Sequence, residues 1–425
     1  MNRFTPLAVA FLFITATHAQ DWSHFRGPNH AGVAGNDIPT TWNDRENLAW
    51  RTDLPGKGSS SPVYGNNRLF VTAFSGYGED AEDPGNQEDL KLHVLCLNIT
   101  DGTIIWDDWI PASSEEQSVT PRVADHGYAS PTPCVDEANV YAYFGPSGLV
   151  AHTQDGKLLW HVNLGTDTAG FGAAASPIVH GDLIIMNASI ESGAIYGIDK
   201  STGKIRWKRK SIDRSWSTPT IVRLPNGNHE LIINQKGAVL GIDPETGDEL
   251  WNCEAIQDYI VPCVIAKGDL LYCSGGRTNK TFSIRAGGRG DVTETHLIWE
   301  VSRGANVTSP ILVKDYLYWS HDKAIALCLR ASDGVEMFRE RLPTRSRVYA
   351  SIVSDGEKLF LTTRDAGVLV LAATEEYEEL AINQCGSKEE KFNATPAIVE
   401  NRLILRSDRA VYCIMKTSTK TNAKE

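Results

Sequence analysis

Short apolar runs recur along the chain in pairs, each pair split by a polar turn. LIIM (183–186) follows the turn His180-Gly181-Asp182, and RLILR (402–406) follows Glu400-Asn401. Such pairs predict two-stranded hairpins. A short marker precedes each pair: Ser61-Pro62-Val63, Ser130-Pro131-Thr132, Ser176-Pro177-Ile178, Thr218-Pro219-Thr220, Val261-Pro262-Cys263, Ser309-Pro310-Ile311, Ser351-Ile352-Val353 and Thr395-Pro396-Ala397. These eight markers are spaced by 69, 46, 42, 43, 48, 42 and 44 residues, close to the length of one four-stranded propeller blade.

A second repeated phrase supplies the remaining strands. YGIDKSTGKIRW (196–207) and LGIDPETGDELW (240–251) share an Asp, a Thr-Gly pair and a closing Trp while nearly all their other polar positions differ. Asp199 and Asp243 suit turns in which a carboxylate accepts from backbone amides, and Gly203 and Gly247 supply the positive φ. A Gly stands four residues before an aromatic in five copies: Gly102 and Trp106, Gly156 and Trp160, Gly203 and Trp207, Gly247 and Trp251, Gly334 and Phe338. A phrase repeated so often is a turn with a Trp that packs between blades, not a cofactor signature. Blade five stretches it (AGGRGDVTETH) and blade seven reduces it to TEEYEEL. The last repeat lacks an outer strand, whereas NLAWRTDLP (47–55) is an outer strand without a blade. The two complete each other, and the expected fold is an all-β, eight-bladed propeller of four-stranded blades over 47–415, its last blade closed by the N-terminal strand.

The ends and the charge narrow the setting. MNRFTPLAVAFLFITATHAQ has one cation, an apolar run too short to span a bilayer, and small residues before Gln20. Residues 1–19 read as a signal peptide, 20–46 as an extension outside the ring, and 416–425 as a disordered tail. No other stretch is apolar enough for a transmembrane helix, so an exported, periplasmic or extracellular protein is expected. With 41 basic and 53 acidic residues the net charge is -12, and loss of Arg3 with the signal peptide makes it -13. This balance argues against nucleic acid as a partner. The eight cysteines show no disulfide framework and no metal-ligand spacing, and buried thiols are expected. Cys263 and Cys273 would face each other only across a three-residue loop, so free thiols are expected there too. Arg289-Gly290-Asp291 reads as a structural turn, and the acidic run 78–89 as a solvated insertion in blade one.

The Asp-x-x-Thr-Gly-x-x-x-Trp repeat, the Ser-Pro strand starts and the eightfold count resemble the quinoprotein-like propellers, named for pyrroloquinoline quinone (PQQ) dehydrogenases. DWSHFRGPNHAGV (21–33) and IRAGGRGDVTETHLIW (284–299) resemble an exported subfamily of that class whose activity is mostly unassigned. The resemblance implies the fold over nearly the whole mature chain. For chemistry it offers a PQQ- and Ca²⁺-dependent dehydrogenase of alcohols or sugars as the alternative to a binding or scaffold module. The adjacent cysteine pair of the alcohol dehydrogenases is missing, and so is the lipid-modified Cys of the assembly lipoproteins that share this fold. No catalytic or metal residue is carried over, and no bound cofactor is the leading expectation.

Reading backwards from the eight markers gives candidate site residues. Four residues before each stand Lys57, His126, Gly172, Arg214, Gln257, Ala305, Arg347 and Lys391; two before stand Ser59, Tyr128, Ala174, Trp216, Tyr259, Val307, Tyr349 and Asn393. In a propeller these loops meet at one mouth of the central channel. Lys57, His126, Tyr128, Arg214, Trp216, Tyr259, Arg347, Tyr349 and Lys391 would form a basic and aromatic rim there. Such a rim suits an anionic or sugar-like ligand or a protein partner, because guanidinium groups clamp carboxylate or sulfate and rings stack on sugar faces. Ordinary ion pairs between neighbouring loops are the competing use of these side chains.

Overall fold

The computed structural model describes residues 22–35 and 37–417 of the 425-residue chain, so the segment read as a signal peptide and most of the segment read as a tail lie outside the described residues. Eight antiparallel sheets succeed one another. Blade one comprises Val63–Gly65, Arg68–Ser75, Lys91–Asn98 and Ile104–Pro111. The inner strands of blades two to eight are Cys134–Val135, Ile178–His180, Thr220–Arg223, Ile265–Lys267, Ile311–Val313, Val353–Ser354 and Ala397–Val399. In blade eight, Leu48–Asp53 lies antiparallel to Ala410–Ile414 as the outermost strand. Middle strands are buried on both faces; Leu183–Ala188 is buried throughout. Outer strands bury one side chain in several, as Trp207 in Ile205–Lys210.

The Gly–Trp phrase joins each blade to the next. Gly203 has φ 71°, and a Cβ there would fall 2.8 Å from the ring of Trp160 in the preceding blade. Asp199 accepts from the amide of Thr202 at 3.0 Å and so shapes that turn. The indole N–H then donates to a carbonyl in or beside the next turn: Trp50 to Ile99 (3.0 Å), Trp106 to Gln154 (2.8 Å), Trp160 to Lys200 (3.1 Å), Trp207 to Pro244 (3.1 Å) and Trp299 to Ala331 (3.0 Å). Each bond adds about 1 kcal/mol to the ring burial it accompanies. Trp251 meets the stretched turn of blade five and donates instead to buried Glu230 at 2.7 Å. Arg289 pairs with the same carboxylate at 3.2 Å, and Gly290–Asp291 adds a parallel fifth strand beside Trp251 and Asn252. The Arg-Gly-Asp tripeptide is therefore spent on structure.

The markers form an inner belt, and their register corrects two alignments. The N–H of Ser61 donates to Thr132 Oγ1 (2.9 Å), Thr132 to Ser176 (2.9 Å), Ser176 to Thr218 (3.0 Å), Cys263 to Ser309 (3.0 Å), Ser309 to Ser351 (3.0 Å) and Ser351 to Thr395 (3.0 Å). Each belt residue stands two places before its inner strand. The belt residues of blades two and five are thus Thr132 and Cys263, not Ser130 and Val261. In Ser130-Pro131-Thr132-Pro133 either hydroxyl fits the phrase. In blade five a thiol replaces the hydroxyl, and the link from Thr218 is missing among the described residues. Lys267 pairs with Leu270, so the blade-five hairpin has a two-residue turn and strand alternation puts Cys263 and Cys273 on opposite faces. All eight thiols are free.

The extension is built into the ring rather than outside it. The amide of Tyr64 donates to Trp22 O and that of Val135 to Ser23 O, while Gly32 and Ala34 pair with Ser354. The segment runs from blades one and two to blade seven, and Trp22, Arg26, Ala34 and Ile38 are all fully buried.

Candidate functional site

Loops leading into blades two, three, seven and eight meet at the end of the channel where inner strands begin. Thr120 caps the single turn Pro121–Ala124 by accepting from Val123 N at 3.2 Å. The chain then crosses the mouth. The Asp125 carboxylate takes the Arg364 guanidinium at 2.9 Å, and its carbonyl takes the Asn393 amide at 2.6 Å. The His126 ring lies 5.3 Å from Tyr349 and 6.2 Å from Phe171. Blades two and seven are three places apart around the ring, so these contacts span the opening.

Beside this bridge lies a recess of about 530 Å³, lined by Asp125, Arg345, Ser346, Arg347, Arg364 and Asp365. Arg364 is paired with Asp125, and Lys391 stands 3.9 Å from Asp365. Arg347 donates to the Tyr349 hydroxyl at 2.9 Å. Neither Arg345 nor Arg347 has a carboxylate partner among the described residues, and both are exposed. The recess therefore presents two unneutralised guanidinium groups beside an aromatic ring. Burial lowers His126 to about 4, so it meets the site as a neutral ring and not as the cation expected from sequence.

Of the nine candidates, His126, Arg347, Tyr349 and Lys391 are brought together. Tyr128 is turned away: its hydroxyl donates to Gln117 O at 2.9 Å, and its ring packs edge-on against Phe74 in the blade-one core. With the register of blade two corrected, Tyr128 stands four places before Thr132, the position that Arg347 holds before Ser351, yet it faces the blade-one core. Trp216 is buried, donating to Gly172 O at 2.8 Å and meeting Tyr259 edge-on at 6.0 Å. Tyr259 is spent on Asn306 at 2.9 Å, with Arg277 over its ring. The Lys57 amine bonds the Glu79 carbonyl of the acidic insertion, 4.0 Å from Asp408. Arg214 points to solvent outside the recess. Reading strand starts alone missed Asp125, Arg345, Arg364 and Asp365. Arg364 and Asp365 lie on the middle hairpin of blade seven, and comparing those hairpin loops across blades would have brought them into view.

Comparison with known proteins places this architecture. Two solved structures share the fold. BamB from Moraxella catarrhalis superposes with a TM-score of 0.60 at 13% identity, covering 89% of this chain and 99% of that one. The quinohemoprotein alcohol dehydrogenase of Comamonas testosteroni gives 0.62 at 12% identity, covering 98% and 84%. Among curated relatives, a tetrathionate hydrolase from Acidithiobacillus ferrooxidans is 23% identical over 255 residues, covering 51% of this chain and 49% of that one. A polyvinylalcohol dehydrogenase from a Pseudomonas species is 22% identical over 279 residues, covering 55% and 39%. The chain thus spans half or less of the length of these two relatives. The profile of the PQQ_2 family, described as outer membrane protein assembly factor BamB, matches residues 44–284, and with more than half of its length matched the chain belongs to that family.

Proposed function

We propose that this chain is an exported binding protein whose channel mouth captures an anionic small molecule. The recess carries the reading: Arg345 and Arg347 stand without carboxylate partners in a protein of net charge -12, next to the ring of Tyr349. Guanidinium groups hold carboxylate, sulfate or thiosulfonate oxygens through charge-assisted hydrogen bonds. Support comes from the relative named for tetrathionate, which is a dianion. Export is supported by the character of residues 1–19, and no described helix is long and apolar enough to cross a membrane.

The resemblance to quinoprotein dehydrogenases raises the quinone and calcium pair. Among the described residues no group of three His, Cys, Asp or Glu side chains is placed to hold a metal ion, and the recess sets three guanidinium groups beside two carboxylates. Hard divalent cations need several oxygen ligands. These residues do not fit the pair, and no redox step is derived for this chain.

The test is calorimetric titration with tetrathionate, citrate and pyrroloquinoline quinone. The double variant Arg345→Ala/Arg347→Ala should lose binding at least tenfold while its melting temperature stays within about 2 °C of the parent, because exposed charges add little stability. Arg214→Ala serves as the control and should bind normally. Equal binding by all three proteins overturns the reading.

A further inference from the structure

Arg26 lies in the extension and is fully buried, yet it has no ion pair among the described residues. One terminal nitrogen donates to Pro310 O at 2.5 Å, while Nε and the other terminal nitrogen have no hydrogen-bond partner. Burial depresses its guanidinium to about 10, with the Cys263 thiol the titratable group that acts against this. A buried cation without a counter-charge is among the most costly arrangements in a protein.

The neighbours place this cation on the belt. Pro310 follows belt residue Ser309, Cys263 is the belt residue of blade five, and a Cβ on Gly32 would lie 3.2 Å from the guanidinium and 3.4 Å from Ile352 O. Thr132, Ser176, Thr218, Ser309, Ser351 and Thr395 accept the amide of the preceding belt residue or, for Ser309, of Cys263; none donates its O–H to an acceptor among the described residues. The rings of His24 and His30 lie 4.2 Å apart and tilted by 50° beside Arg26, and buried His24 Nε2 also lacks a partner. Unspent donors therefore gather between the extension and the belt of blades five to seven. The backbone that delivers them is strained: Arg26, Asn29 and His30 take φ of 67°, 53° and 55°. Non-glycine residues hold such angles where the surroundings repay the strain.

We infer that the channel at belt level is a binding site for a small inorganic anion, held by the free Nε and terminal N–H groups of Arg26 and the hydroxyls of Ser309 and Ser351. The site is separate from the mouth, sits on the N-terminal extension, and belongs to halide or small oxyanion chemistry because the donors are fixed and enclosed.

Crystals of the full chain soaked in sodium bromide provide the test. An anomalous bromine peak within hydrogen-bond distance of Arg26 is expected; its absence there, including a map with peaks only at Arg345 and Arg347, overturns the proposal. In solution, sodium chloride should raise the melting temperature by about 2–4 °C over sodium gluconate at equal ionic strength. Arg26→Met should lose that difference and Arg345→Ala/Arg347→Ala should keep it. If Arg26→Met folds and keeps the difference, the proposal fails; if it does not fold, the bromide map decides.

Discussion

Replacing Trp22 with alanine should destabilise the protein about as much as replacing Trp50, although only Trp50 belongs to a blade. Trp22 is 0% exposed and Trp50 9%, so both indoles are almost wholly removed from water. An aromatic side chain buries roughly 150–250 Å², which at about 25 cal/mol per Å² corresponds to about 4–6 kcal/mol. Compactness of the unfolded chain lowers that figure, and truncations of buried aromatics cost about 3–5 kcal/mol. Trp50 loses in addition its hydrogen bond to Ile99 O, about 1 kcal/mol. The Trp22 indole N–H has no partner, so its loss is one of packing alone. The two variants should therefore fall within about 1 kcal/mol of each other. Urea denaturation followed by far-ultraviolet circular dichroism measures both, with unfolding rates compared if refolding is incomplete. A cost below about 1 kcal/mol for Trp22→Ala beside a full cost for Trp50→Ala would show that the extension merely decorates the ring, as the sequence alone suggested.

Cys263→Ser should restore the missing belt acceptor for Thr218 and raise stability by about 0.5–1.5 kcal/mol in the same urea assay; an unchanged or lower midpoint contradicts the belt. Gly203→Ala should cost at least 1 kcal/mol more than Gly181→Ala, because both positions have positive φ but only Gly203 faces an indole. The pH dependence has two opposed limbs. Burial lowers His24 and His126 from 6.5 to about 4, so the unfolded chain binds more protons in that window and each histidine withdraws about 3 kcal/mol as pH falls through it. Burial raises Glu116 and Glu191 from 4.5 to about 7, so their contribution is present below 4.5 and is lost as pH rises through 7. Melting curves from pH 4 to 8 should show Glu191→Gln flattening the neutral limb and His126→Gln the acid limb; superimposable profiles would refute the assignment.

The blades were legible in the sequence because two physical devices recur, the glycine–aromatic phrase in five copies and the belt hydroxyl in seven of the eight blades. A glycine that must lie under an indole and a hydroxyl that must catch an amide leave residue-level marks at fixed spacing. Blades two and five slipped by two residues because Ser130 and Thr132 both precede proline, and because a thiol stands where the other blades have hydroxyls. The extension was illegible for the opposite reason. Its turns at Arg26, Asn29 and His30 occur once, without periodicity, and its backbone partners are scattered from Tyr64 to Ser354. The mouth falls between these cases. Arg347, Tyr349 and Lys391 share a position that the repeat defines, whereas Asp125 meets Arg364 across 239 residues and nothing local in either segment announces the other.

The belt also bears on how such rings change size in evolution. Each blade brings one belt residue, and Thr132, Ser176, Ser309 and Ser351 each offer an amide to one neighbour and a side-chain oxygen to the other. Inserting or deleting a whole blade of this kind in register leaves every linked donor with an acceptor, whatever the number of blades. Loss of half a blade orphans a buried amide. Duplication in whole units is therefore the step that the polar interior of the channel tolerates, and the open links from Thr218 to Cys263 and from Thr395 to Ser61 among the described residues show that a complete ring is compatible with two belt bonds unmade.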